Sequence, residues 1–270
     1  PAYLIRQRWY ADILRLIAKL RIVDVSTVES RDCTILLALI GIDYELGDAR
    51  RYFVPMTVHR EPTSEGATIA WSDDQTHSRW VQDAISDASF RDFLSDAEAR
   101  ANLIGQHGTF VFEPWMLDGL PLLLDPSIPS ATAAFEQSNS SITYGDQVIV
   151  KLYRRLEVGQ NIEVDMNRYL GSEAGFPSVP KLISAATYRG DAGSIPLMLV
   201  QQHVGDHRDA WTALTELLQV RARESLEIVE RLGRVTGEMH VALAAAPTSS
   251  VLSPELIGQQ DVVGWREAFL

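Results

Sequence analysis

Cysteine is almost missing from this sequence, positive charge is in deficit, and no long apolar run occurs. Each shortage removes a class of protein. One cysteine, Cys33, is present, so no disulfide framework can form within the chain and a reducing compartment is expected. It lies in the run CTILLALIGI, where a free thiol packs as a small hydrophobe, and a buried structural role is the expectation. Lys and Arg number 24 against 36 Asp and Glu, a net charge of -12 with a pI near 4.9. Such a balance disfavours nucleic acid and anionic membranes, which need basic patches to displace counterions. Apolar runs fall short of the ~20 residues a membrane helix needs, and no cationic, apolar leader opens the sequence. Internal repeats and low-complexity tracts are also missing. What remains is a chain of 270 residues, 46% hydrophobic and 22% charged. That is ample for a core in one large or two medium domains, and a soluble cytoplasmic protein is expected.

The first ~90 residues read as mostly β. CTILLALIGIDYEL (33–46) and RRYFVPMTVHRE (50–61) are β-rich runs separated by Gly47-Asp48, a hairpin signal, and GATIAWSD (66–73) offers a third strand. Residues 78–105 place Trp80, Val81, Ile85, Phe90, Phe93 and Leu94 at helical spacing. With Asp and Ser at 86–87 and 95–96 as N-caps, two short helices are expected there. From 108 to 155 the β pattern returns: GTFVFEPW, then a strand, a polar turn (Gln137 to Ser141), a strand, the turn Tyr144-Gly145-Asp146 and a third strand. A helix over 161–175 should end near Gly171 or Gly175. Two more strands (180–190 and 195–204) lead to a strongly helical stretch, 209–246, and a helical pattern resumes toward Leu270.

The order from residue 131 onward is that of the small lobe of a eukaryotic-type kinase. There, a turn between the first two strands covers the ATP phosphates. A Lys on the third strand binds the α- and β-phosphates, and an acid on the next helix fixes its ammonium. Lys151 in VIVKLY is the candidate, with Glu163 and Asp165 as possible partners. Taken singly, each feature has a plainer reading. A Lys at a strand end beside Arg154 and Arg155 is usually a solvated charge, and QSNSSITYG is not glycine-rich.

Three segments carry a family resemblance. RQRWYA (6–11), VIVKLYRRLEVGQNIEVDMNRYL (148–170) and LVQQHVGDHRDAW (199–211) are similar to signatures of bacterial maltokinases, including kinase domains fused to trehalose synthase. Ile162 stands where that family usually has Pro, and 148–170 is the most specific part. The resemblance implies an α+β protein: a β-rich N-terminal cap (1–90), an intermediate region with a nucleotide-binding small lobe (91–205), and the start of a helical large lobe (206–270). It implies ATP and Mg²⁺ as cofactors and phosphoryl transfer to a sugar, most simply maltose, giving maltose 1-phosphate. A trehalose synthase domain or subunit is the implied partner. Lys151 would bind phosphate, and Ser138, Asn139, Ser140 and Ser141 would cover it. Gln201, Gln202, His203 and Val204 would meet adenine through backbone groups. Glu163 is preferred over Asp165 as the ion-pair acid, because it leaves Met166 and Leu170 at inward offsets.

His207-Arg208-Asp209 imitates a kinase catalytic tripeptide, yet it follows the lobe linker by only a few residues. Position 214, where a metal-binding Asn would fall, is Leu. Asp209 reads instead as a helix cap, with Trp211 packed beneath it. His240 has no acid placed to orient it and is taken as structural. No catalytic residue is assigned within the chain. The catalytic Asp and the metal ligands are expected beyond Leu270, so that this piece alone would be silent. Another sugar, glucosamine or aminoglycoside kinase, and a non-catalytic scaffold module, are the alternatives.

Overall fold

The computed structural model describes residues 2–63, 67–73, 78–96, 102–125, 127–133, 138–205, 209–220, 222–248 and 250–268. It begins with β1 (Ile17–Glu29), β2 (Thr34–Tyr44), β3 (Arg50–His59), β4 (Thr68–Asp73) and β5 (Ser78–Asp83). These form an antiparallel sheet in the order β1-β2-β3-β5-β4. The β2–β3 hairpin closes over Gly47, whose φ of 83° suits glycine. Because side chains alternate along a strand, β2 serves two cores. Its odd-numbered Ile35, Leu37 and Leu39 join the larger cluster, which also holds Phe53, Phe90 and Phe110. Its even-numbered Ala38, Ile40 and Ile42 face a second cluster built with Tyr3, Leu4, Trp9 and Tyr10. A strand buried on both faces loses the polar alternation of a surface strand, which is why CTILLALIGI reads as unbroken apolar sequence.

After the first sheet come α1 (Ala88–Ser95), β6 (Leu103–Ile104), β7 (Gly108–Phe112), β8 (Met116–Leu117) and β9 (Leu120–Pro121). Next are β10 (Ser130–Ala133), β11 (Asn139–Tyr144), β12 (Val148–Tyr153), β13 (Arg155–Leu156), α2 (Ile162–Arg168), β14 (Leu182–Gly190) and β15 (Gly193–Gln202). The second sheet runs β10-β11-β12-β15-β14-β7-β6 and is antiparallel throughout. Val150 and Leu152, which pair with Val200 and Met198 on one face of this sheet, belong to the same cluster as Leu37 and Phe53. Both sheets lie in one compact unit, residues 1–164 with 180–205. One stretch of chain serves both. β12 belongs to the second sheet, the Phe53 N–H donates to the Arg154 carbonyl at 2.8 Å, and β13 pairs with β3 of the first.

The second unit, residues 165–179 and 206–270, is helical. It holds α3 (Ala210–Val220), α4 (Ala222–Ala244) and α5 (Gln259–Ala268). Tyr169, Leu170, Phe176 and Ala246 form its core, and the Tyr169 hydroxyl donates to the Ala242 carbonyl at 2.9 Å. Among the described residues, no helix is long and apolar enough to cross a membrane.

Four local expectations are corrected. Residues 78–83 form β5, not a helix: pairing with β3 on one side and β4 on the other commits Trp80 and Val81 to a sheet. Among the described residues of that region, helix is confined to a 3₁₀ turn over Ala84–Ser86 and to α1, which is capped by the Asp87 carboxylate on the Ser89 N–H. β1 was not foreseen, because its first half, from Ala18 to Ile22, is exposed and mixes charged with apolar residues. The helix expected over 161–175 is α only to Arg168 and then widens to π spacing over Tyr169–Glu173.

Candidate functional site

Lys151 sits near the end of β12, between Ser141 on β11 and Leu199 on β15. Its Nζ lies 2.8 Å from Glu163 Oε1. The other carboxylate oxygen, Oε2, accepts the Tyr153 hydroxyl at 3.1 Å. Lys151 and Tyr153 are two residues apart on one strand, so both point to the same face and can meet the same acid. The helix that brings Glu163 there starts at Asn161, whose Oδ1 accepts the N–H of Glu163 at 2.9 Å and of Val164 at 3.3 Å. That is an N-cap, and it fixes the rotation of α2 so that Glu163 reaches Lys151. Asp165, the other candidate, takes no part in the ion pair. Tyr153 and Asn161 were not foreseen as contributors; the i+2 spacing from Lys151, and an Asn just before an acid-bearing helix, were the available signals.

The ion-pair side chains retain 24% and 37% of their exposure. A pair so wetted contributes about 0–1 kcal/mol to folding. Its effect is to place an ammonium at a fixed point beside the sheet. The ring of Tyr153, 7% exposed, walls one side of that point.

The polar residues after the β10–β11 turn are arranged differently from the expectation. Asn139, Ser140 and Ser141 belong to strand β11, opposite Tyr153, Leu152 and Lys151. Ser141 is buried, and Ser140 Oγ accepts the Arg154 Nε–H at 2.7 Å. Pairing with β12 and the demand of Arg154 draw these residues into the sheet. Ser138 is exposed at the strand's start, touched by the Asn139 side chain at 3.3 Å. Residues 134–137 of the turn, Gln137 among them, lie outside the described residues.

At the far end of β15, Gln201 and Gln202 are strand residues, followed by His203 and Val204. The Gln202 N–H donates to the Lys181 carbonyl and the His203 N–H to the Gln147 carbonyl, both at 2.9 Å. Those two donors are therefore engaged within the protein. His207 and Arg208 lie outside the described residues, but Asp209 is the expected cap, accepting the Thr212 N–H at 2.8 Å. The hydrogen bonds from Thr212 hold its carboxyl below the usual range. Trp211 does not pack beneath it and is 79% exposed. His240 is exposed on α4 rather than built into a core.

The surroundings of Lys151 do not suit Mg²⁺, which needs an octahedral set of oxygens including free carboxylates. Glu163, the acid at this point, is spent on Lys151 and Tyr153.

Comparison with known proteins agrees with this layout. Residues 3–87 match the family model of the maltokinase N-terminal cap domain. A solved glucosamine kinase in complex with glucosamine, ADP and inorganic phosphate superposes with a TM-score of 0.57 at 18% identity, over 99% of this chain and 54% of that one. Crystal form B of a glucosamine kinase gives 0.58 at 18% identity, over 99% and 54%. The chain spans about half the length of the solved structures it matches. At this identity the likeness is one of fold: a β-rich cap followed by a kinase-like lobe and helices.

Proposed function

We propose that this chain, whose residues 3–87 match the maltokinase N-terminal cap domain, is the nucleotide-binding part of an ATP-dependent sugar kinase making maltose 1-phosphate. The observation that carries this reading is the ammonium of Lys151, held at 2.8 Å by a helix carboxylate that a tyrosine hydroxyl also grips. In phosphoryl transfer the protein contributes mainly position and charge. Lys151 would neutralise the α- and β-phosphates, and Glu163 and Tyr153 would keep its ammonium aimed at them. Of the residues expected to cover the phosphates, Ser138, exposed at the start of β11, would do so. Adenine would meet backbone groups around Gln201 to Val204 other than the two engaged N–H donors. The base that takes the sugar proton and the ligands for Mg²⁺ would come from other parts of the full-length protein. The match to the maltokinase cap domain supports maltose as acceptor; a trehalose synthase domain or subunit as partner, and a cytoplasmic setting, are part of the proposal.

A second reading, an amino-sugar kinase, is favoured by the fold shared with a glucosamine kinase crystallised with glucosamine and ADP. The experiment is a phosphorylation assay of the full-length protein with ATP and maltose, glucose or glucosamine in turn. Maltose preference is expected, and glucosamine preference would replace the first reading with the second. Lys151→Ala should lower kcat/KM by about 10²–10³, the loss typical for one charge-stabilising donor, with an unchanged circular dichroism spectrum. Retained activity would remove Lys151 from the mechanism. Absence of ADP binding to the wild type would leave a scaffold instead.

A further inference from the structure

Far along the sequence from Lys151, the first sheet gathers three metal-binding residue types. β2 and β3 pair with Thr34 opposite Val58, so the next residues outward, Cys33 and His59, are cross-strand neighbours at the same sheet end. Asp87, which caps α1, completes the group. All three are buried, and one ligand atom from each lies within 4.8 Å of the others. His59 Nε2 is 2.6 Å from Asp87 Oδ2. The carboxylate is oriented from behind: Oδ1 accepts the Ser89 N–H at 2.9 Å and Oδ2 accepts the Thr57 hydroxyl at 3.0 Å. Such outer partners fix the aim of a ligating carboxylate. Cys33 and His59 also line a cleft of about 660 Å³, which leaves an approach for an ion and a water.

Two chemistries use Cys, His and Asp together. A nucleophilic thiol needs a lowered pKa, whereas burial pushes the Cys33 thiol up, against the opposing hydrogen bond of Ser89. A bound dication reverses that penalty, because a thiolate and a carboxylate neutralise its two charges and leave the buried site uncharged. Sulfur, imidazole nitrogen and carboxylate oxygen are the zinc donor set. With bonds of about 2.3 Å to sulfur and about 2.0 Å to nitrogen and oxygen, tetrahedral donors stand about 3.3–3.5 Å apart. Small side-chain rotations bring the three atoms into that range.

We propose that Cys33, His59 and Asp87 bind one Zn²⁺, with water from the cleft as fourth ligand, clasping the β1–β2 turn, the end of β3 and the start of α1. The test uses the chelator-stripped protein titrated with ZnCl₂ by calorimetry, and with Co²⁺ as a spectroscopic probe. A single site per chain is expected, and Co²⁺ should show a thiolate charge-transfer band with intense tetrahedral ligand-field bands. Cys33→Ser should abolish the charge-transfer band. Both Cys33→Ser and His59→Gln should weaken Zn²⁺ binding at least about 100-fold, beyond the usual loss of an outer-shell partner. Should either variant unfold, the wild type decides by itself: zinc must raise its melting temperature, and the cobalt spectrum must show sulfur ligation. No binding by the wild type, octahedral cobalt without a thiolate band, or unchanged affinity in folded Cys33→Ser would overturn the proposal.

Discussion

At the scale of single residues, a carboxylate can hold a turn as firmly as it can hold a cation. Asp24 on β1 is fully buried and accepts the Tyr188 hydroxyl at 2.7 Å and the backbone N–H of Gln106 and His107 at 2.6 and 3.1 Å. Burial pushes its carboxyl up, but the hydrogen bonds from Tyr188, Gln106, His107 and Val25 outweigh it and leave the pKa lowered. A depressed folded-state pKa gives stability that is present above the unfolded value, about 3.9, and lost as pH falls through the folded one. Replacing Asp24 with Asn should therefore cost stability by an amount constant from pH 7 to about pH 5, shrinking below about pH 4; urea midpoints against pH will check it. The same grip explains Gly105. A Cβ there would stand 2.6 Å from Asp24 Oδ2, so Gly105→Ala should destabilise by about 1–3 kcal/mol, the usual cost of overpacking, measured in the same urea series. None of this was legible in the sequence, since Asp24 and Tyr188 are 164 residues apart and nothing local pairs them. Lys151 was singled out by the order of elements and by the resemblance of 148–170, since a Lys at a strand end is by itself usually a solvated charge. Glu163 was preferred over Asp165 from the helical offsets of Met166 and Leu170, and the Asn161 cap, which the sequence reading did not use, is what brings it to Lys151.

At the scale of elements, the joint between the sheets is a buried ion pair. Arg154 Nη2 donates to both oxygens of Asp83, at 3.0 and 2.9 Å, while its guanidinium lies over the Trp9 ring at 4.8 Å. The Tyr3 hydroxyl also donates to Asp83, and burial with the adjacent carboxylate raises its pKa strongly. The pair's side chains are only 2% and 9% exposed, so removing one partner strands a charge. Asp83→Leu and Arg154→Met should each cost about 3–5 kcal/mol, and the double variant should cost far less than their sum. Chemical denaturation of the four proteins will measure the coupling; additive losses would show that the pair does not act as a unit. Sequence reasoning saw the hairpin over Gly47-Asp48, because its turn chemistry is local. It placed Trp80 and Val81 on a helix because spacing alone cannot register a partner strand. It took Asn139 to Ser141 for a turn because polar residues in a strand are explained only by what faces them, here Arg154 and Lys151.

At the scale of the whole molecule, the match to a cap domain covers residues 3–87, yet those residues do not contain all of their own supports. β13 and Arg154 come from later in the chain, as do Val150, Leu152, Leu197 and Leu199, which complete the core around Leu37 and Phe53. A protein of residues 3–87 alone should show no cooperative thermal transition, whereas residues 1–205 should show one; a sharp transition in the shorter piece would contradict this. The fold class was readable because it depends on strand and helix patterning, but the common core was not, since it is a property of pairings between distant segments. The chain crossing from β12 to β13 has a further consequence for inheritance. Between Lys151 and Leu156 it passes from the proposed nucleotide site to the first sheet within a few residues, so the two cannot be exchanged independently among relatives. Grafting a foreign N-terminal sheet onto this lobe should fail unless the 148–156 segment travels with it, and descent should have kept the two as one heritable block.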